Sequence, residues 1–213
     1  MRDVLRSGEL LLDAAMGTAL IARGLTGRAP EWNLSHPDAV RAVHAAHVAA
    51  GAGLVLTNTF VGATREEAAA AVRLARESGA RYVGGSLWAG TPDLATQIAQ
   101  LADADSIWLE AAIGPEQALA AVRTAVRSTS LPVVVTCALQ TAPLDELRAA
   151  GAAAAGYACS PWPLDARGAD VVKPAANWLG PEEWARKIPW ARLRGGCCGT
   201  DERYLLALRA TAR

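Results

Sequence analysis

Two adjacent cysteines near the C-terminus lie in the run Gly195-Gly196-Cys197-Cys198-Gly199-Thr200. Neighbouring side chains on an extended strand point to opposite faces, and flanking glycines let the backbone turn so that both thiols reach one side. A disulfide between sequence neighbours is strained, so the pair reads as two thiolate ligands. Zinc takes sulfur at about 2.3 Å and prefers a tetrahedral set, so a third donor is needed. Cys159 ends an earlier strand-like run and is the candidate. Cys137 follows four apolar residues inside another run and reads as a core thiol. The competing reading makes these cysteines inert small hydrophobes.

The elements that must position these residues alternate between two periods. Strand-like runs fall at residues 10–13, 54–57, 82–86, 106–110, 132–137, 153–159, 169–173 and 192–198. Between them lie helical patterns. Ser35 with Asp38, Thr64 with Glu67, Thr91-Pro92 and Thr200 read as helix starts. Apolar β-branched runs fit strands buried on both faces. Eight strand–helix repeats predict a parallel sheet closed as a compact (β/α)8 barrel, a fold whose active sites form at the C-terminal ends of the strands. The ends carrying Cys159 and Cys198 share that rim. Alanine and glycine make the sixth run a poor strand by propensity. Pro161 and Pro163 oppose a helix between the sixth and seventh runs, so one helix is expected to be missing or degenerate there.

The chain has 213 residues, 52% hydrophobic and 20% charged, which excludes disorder and low complexity and fits one barrel domain over residues 1–213. Its 21 basic and 21 acidic residues cancel, so neither nucleic acid nor an anionic membrane is expected as a partner. No apolar run approaches the roughly 20 residues of a membrane span. The short Leu10-Leu11-Leu12 run, broken by Asp13, does not make a signal segment, and the protein is expected to be cytoplasmic. A reducing compartment favours metal ligation, catalysis or core packing over disulfides for its four cysteines. Gly84-Gly85 lacks a dinucleotide fingerprint and no P-loop is present.

Several of these segments together are similar to the homocysteine-binding, zinc-dependent S-methyltransferase family. The likeness runs through Leu11-Leu12-Asp13-Ala14-Ala15-Met16-Gly17-Thr18, Trp32-Asn33-Leu34, Val43-His44, Ala50-Gly51-Ala52-Gly53 and Thr57-Asn58-Thr59-Phe60. It continues through Gly85-Ser86-Leu87, Glu110, Gly156-Tyr157-Ala158-Cys159 and Gly196-Cys197-Cys198-Gly199-Thr200. It covers nearly the whole chain. Ala14 and Ala158 depart from the family pattern, as do Ala111 and the stretch Lys173-Pro174-Ala175-Ala176-Asn177, and the segment after Leu87 is short. These departures fall on strand-end loops.

The resemblance implies a (β/α)8 barrel with Zn2+ held by Cys159, Cys197 and Cys198. It implies methyl transfer from a small sulfonium donor, S-methylmethionine or S-adenosylmethionine, to the thiol of homocysteine, giving methionine. Glu110 and, second to it, Asp13 are then candidates for the acceptor's ammonium group. Asn58, Thr59 and Ser86 are candidates for further substrate contacts, with Thr57 beside them; turn capping competes for the threonines and asparagine. His44 and His47 read as packing residues. Trp88, Trp162 and Trp178 follow strand ends, where an aromatic wall for a cationic donor competes with ordinary packing. Expected partners are the small-molecule thiol acceptor and methyl donor, with a homodimer allowed if missing helices expose apolar flanks. Two alternatives stay open. One is a methyltransferase for another thiol or selenol, or one fed by a corrinoid protein. The other is a catalytically silent zinc- or thiol-binding barrel acting as a subunit.

Overall fold

The computed structural model describes residues 1–211. Eight parallel strands follow one another around a nearly closed barrel. They are β1 (Leu10–Leu11), β2 (Leu54–Leu56), β3 (Tyr82–Trp88), β4 (Ser106–Ala112), β5 (Val133–Cys137), β6 (Ala154–Ala158), β7 (Val171–Lys173) and β8 (Leu193–Arg194). Hydrogen bonding runs in sequence order from β2 to β8, and β8 pairs with β1. Between β1 and β2 the seam holds by a Leu12–Leu54 bridge and by Gly53 N donating to Leu11 O at 2.9 Å.

All eight expected strands form, several of them shorter than their apolar runs. The eighth differs most, because only Leu193 and Arg194 pair and Gly195 onward leaves the ladder. The cysteine pair therefore sits on a loop beyond the strand, free to turn. The sixth strand forms despite weak propensity because small residues are required there: a Cβ on Gly156 would run into the backbone of Val171 on β7. Alternation sorts the side chains into two layers. Leu12, Leu54, Trp108, Val134, Ala154, Val171 and Leu193 cluster with Leu5 from α1 (Arg2–Ser7). Ile107, Leu109, Val133 and Val135 instead face the outer helices.

The helices are α2 (Met16–Ile21), α3 (Trp32–Ser35), α4 (Pro37–Ala49), α5 (Arg65–Glu77), α6 (Leu94–Gln100), α7 (Pro115–Ser128), α8 (Leu144–Ala149), α9 (Pro181–Lys187) and α10 (Glu202–Ala210). Among the described residues none separates β6 from β7, as the two prolines suggested. The Thr64–Glu67 capping box forms in both directions and starts α5. Three expected helix starts move. Ser35 ends α3, so Pro37 takes the first position of α4 and His36 its cap. Asp93 precedes α6 in place of Thr91-Pro92. Asp201 caps α10 by accepting from Arg203 N, because the Thr200 hydroxyl donates to Cys197 O at 2.7 Å.

Candidate functional site

Cys159 stands just past β6 and Cys197 and Cys198 just past β8, at the C-terminal rim where barrel sites form. Local backbone brings them together. Cys159 adopts φ 55°, a left-handed conformation costing on the order of 1–3 kcal/mol without glycine, and its amide donates to Lys173 O at 3.1 Å. Cys197 N donates to Pro174 O at 3.0 Å, and Ala176 N donates to Cys198 O at 2.9 Å. The β7 end thus holds both cysteine segments.

The three sulfurs lie within 4.8 Å of one another, Cys198 Sγ being 3.3 Å from Cys159 Sγ and 3.9 Å from Cys197 Sγ. Cys159 and Cys197 are paired as a disulfide here, with Cα atoms 5.7 Å apart, contrary to the expectation of unpaired thiols. Reduced, the cluster is a sulfur-only donor set of the kind that binds zinc, and it suits that ion by number and softness. Cys137 is buried and unpaired, and burial pushes its thiol up to about 11. It is a core group, as expected.

A charged network lies inside the same rim. Asp13 is buried after β1. Its Oδ2 accepts from Leu56 N at 2.7 Å and its Oδ1 from Lys173 Nζ at 3.0 Å. Lys173 is 3% exposed, and its ammonium also lies 3.5 Å from Glu110 Oε2. Burial alone would favour neutral lysine. The pull of Asp13 and Glu110, with their hydrogen bonds, outweighs it and holds the Lys173 pKa above the usual lysine value. Glu110 Oε1 accepts from Ser86 Oγ at 2.5 Å. A register shift between Leu109 and Ala112, with Ala111 at φ 55°, breaks the β4–β5 ladder beside Glu110.

The second-strand polar run supports this network from behind. Ser86 N donates to Thr57 Oγ1 at 3.0 Å, and the Thr59 hydroxyl, fully buried, donates to Ser86 O at 2.7 Å. Asn58 Nδ2 donates to Ala29 O at 2.7 Å and to Asn33 Oδ1 at 3.1 Å, fixing the segment before α3 against the β2 end. That segment walls a cavity of about 340 Å³. Asp13, Asn58, Ser86, Glu110, Lys173 and all three rim cysteines border it, whereas Thr59 does not. Apolar side chains from Met16, Ile21, Phe60 and Val61 complete it, the last three substantially exposed.

Three further groups stand apart. His44 and His47 are buried on α4, consistent with packing. Trp178 is 86% exposed, Trp162 Nε1 donates to Ala175 O, and none of Trp88, Trp162 and Trp178 borders the cavity. The tryptophans therefore form no aromatic wall on it. Sequence reasoning missed Lys173 as a site residue. Its signal was a lysine ending an apolar strand at the rim level of Asp13 and Glu110, where a buried charge must find a partner.

Residues 10–122, just over half the chain, match the family profile described as homocysteine S-methyltransferase. Three crystal structures of the homocysteine methyltransferase MmuM from Escherichia coli are similar in fold. The apo form shares 23% identity at a TM-score of 0.71, covering 96% of both chains. The metallated form shares 20% at 0.70, covering 96% of this chain and 97% of that one. The oxidized form shares 21% at 0.71, covering 96% of both. No curated protein sequence matches the chain.

Proposed function

Because the chain belongs to the homocysteine S-methyltransferase family, we propose that it methylates a small thiol at a zinc ion held by Cys159, Cys197 and Cys198, using a small sulfonium donor such as S-methylmethionine or S-adenosylmethionine. Homocysteine is the acceptor the family name supplies. The observation that carries this reading is the convergence of three cysteine sulfurs, from two strand ends, on the wall of one cavity.

Zinc bound there would lower the pKa of an acceptor thiol, leaving it a thiolate at neutral pH. The transfer itself is a displacement. A lone pair on the acceptor sulfur forms the new S–C bond while the donor's S–C bond breaks. The broken bond's electron pair stays on the donor, now a neutral sulfide, and the acceptor's thiol proton goes to solvent.

The chain's own contribution is orientation and exclusion of water. Met16, Ile21, Phe60 and Val61 supply an apolar surface for the reacting groups. Glu110, Ser86 and Asn58 border the same space and are assigned to orient substrate. Thr59 holds the Ser86 backbone from behind. Asp13, both of whose carboxylate oxygens have partners, ties the β1 end to β2 and β7.

The test is zinc stoichiometry on reduced protein reconstituted with zinc, beside the variants Cys159→Ser and Cys198→Ser. About one zinc per chain is expected, lost in both variants. Mass spectrometry then follows methyl transfer from S-methylmethionine to a panel of thiols. A parent protein that binds no zinc after reduction overturns the reading.

A further inference from the structure

We propose that Lys173 fills the place an amino-acid acceptor's ammonium would take, so that the preferred acceptor is a thiol carrying no ammonium group. The inference rests on the methyl-transfer reading. Its observations are the three buried groups at the cavity floor. Asp13 Oδ1 accepts from Lys173 Nζ at 3.0 Å and Asp13 Oδ2 from Leu56 N at 2.7 Å, so each Asp13 oxygen already has a donor. Glu110 Oε1 takes the Ser86 hydroxyl at 2.5 Å and Oε2 faces the same ammonium at 3.5 Å. These are the two carboxylates that would recognise an ammonium, and the chain supplies that cation itself.

The lysine is not a mobile surface group. It ends β7, its residue is 3% exposed, and its backbone carbonyl is held by Cys159 N. An amino-acid acceptor would bring a second ammonium to a site already holding one, in surroundings where like charges interact strongly. It would either displace Lys173 from Asp13 or rely on Glu110 alone. A thiol without the amino group meets neither obstacle, and the apolar side chains of Met16, Ile21, Phe60 and Val61 offer its carbon chain a surface. Specificity here works by local exclusion: a fixed cation at the Asp13–Glu110 floor rejects acceptors that would place an ammonium there.

The experiment compares two acceptors that differ only in the amino group, L-homocysteine and 4-sulfanylbutanoate. Zinc-loaded, reduced enzyme and S-methylmethionine are held constant, and kcat/KM is measured for each. At least tenfold preference for 4-sulfanylbutanoate is expected. Equal use, or preference for homocysteine, overturns the proposal and leaves methyl transfer standing. If neither thiol is methylated, the methyl-transfer reading fails instead. Calorimetric binding of the two acceptor thiols themselves to zinc-loaded, reduced enzyme without donor then decides the cavity's preference without turnover. Tighter homocysteine binding overturns the proposal. In the variant Lys173→Met the parent's preference should shift at least tenfold toward homocysteine. Should that variant fail to fold, the parent comparison and the acceptor binding still decide.

Discussion

His44 should make folding sensitive to mild acid. It lies on α4 fully buried, and neither ring nitrogen has a hydrogen-bond partner among the described residues. Burial pushes its pKa down to about 4; attraction to Asp13 opposes the shift and the neighbouring His47 adds to it. In the unfolded chain the imidazole titrates near 6.5. The folded pKa is thus the depressed one, and the unfolded state binds the proton first as pH falls. Stability is fully present above about pH 6.5, declines through the interval, and is fully lost by about pH 4. One pKa unit is about 1.4 kcal/mol, so the whole gap is worth about 3 kcal/mol, most of it expressed by pH 4.5. That is a large part of a typical domain's stability. His47, shifted the same way by burial, adds loss of the same sign. The perturbation is His44→Leu. The assay is guanidinium unfolding at pH 7.5 and 4.5, with chelator and reductant so that thiolate ligation plays no part. The parent should lose about 2–3 kcal/mol more than the variant over this range. Parallel losses in the two proteins would refute the reasoning.

Two further outcomes test the rim and the core. Gly196→Ala places a methyl group against the Thr200 side chain, whose hydroxyl holds Cys197 O. Zinc stoichiometry should fall by at least half while circular dichroism shows the barrel intact. In reduced, metal-free native protein, iodoacetamide at pH 8 should label Cys198, which is exposed, and leave Cys137 unlabelled until denaturant is added. Mass mapping of the labelled peptides reads this directly, and early labelling of Cys137 would contradict its burial and its thiol pKa of about 11.

The parts of the fold legible in sequence are those set by local chemistry. Val133–Cys137 is a strand by composition alone, and Thr64 with Glu67 specifies the cap of α5 within four residues. Pro161 and Pro163 likewise announce the missing helix. What was illegible depends on neighbours far away in the chain. Ala154–Ala158 reads poorly as a strand because its small residues answer to the close approach of β7, which propensity does not see. Thr200 has the type and place of a helix cap, but its hydroxyl is claimed by Cys197 O, so Asp201 takes the role.

The site shows the same division. Cys197 and Cys198 were recognisable from their glycine-rich setting, Cys159 from its strand end, and Glu110 and Asp13 from the family resemblance together with their strand ends. Lys173 was not, because its meaning lies in a partner 160 residues away. That pairing also shows why site and scaffold cannot be separated here. Asp13 accepts from Leu56 N at the seam between β1 and β2, where no regular ladder forms, and from Lys173 across the barrel. A carboxylate available for substrate would leave the seam with one bond fewer and the lysine with a weaker counter-charge. Breaking a buried ion pair on one side costs several kcal/mol. The arrangement therefore resists giving Asp13 up to an incoming ammonium. Of the two carboxylates, Glu110 alone keeps an oxygen whose protein partner is as distant as 3.5 Å, so Asp13 is the one held more firmly by the fold.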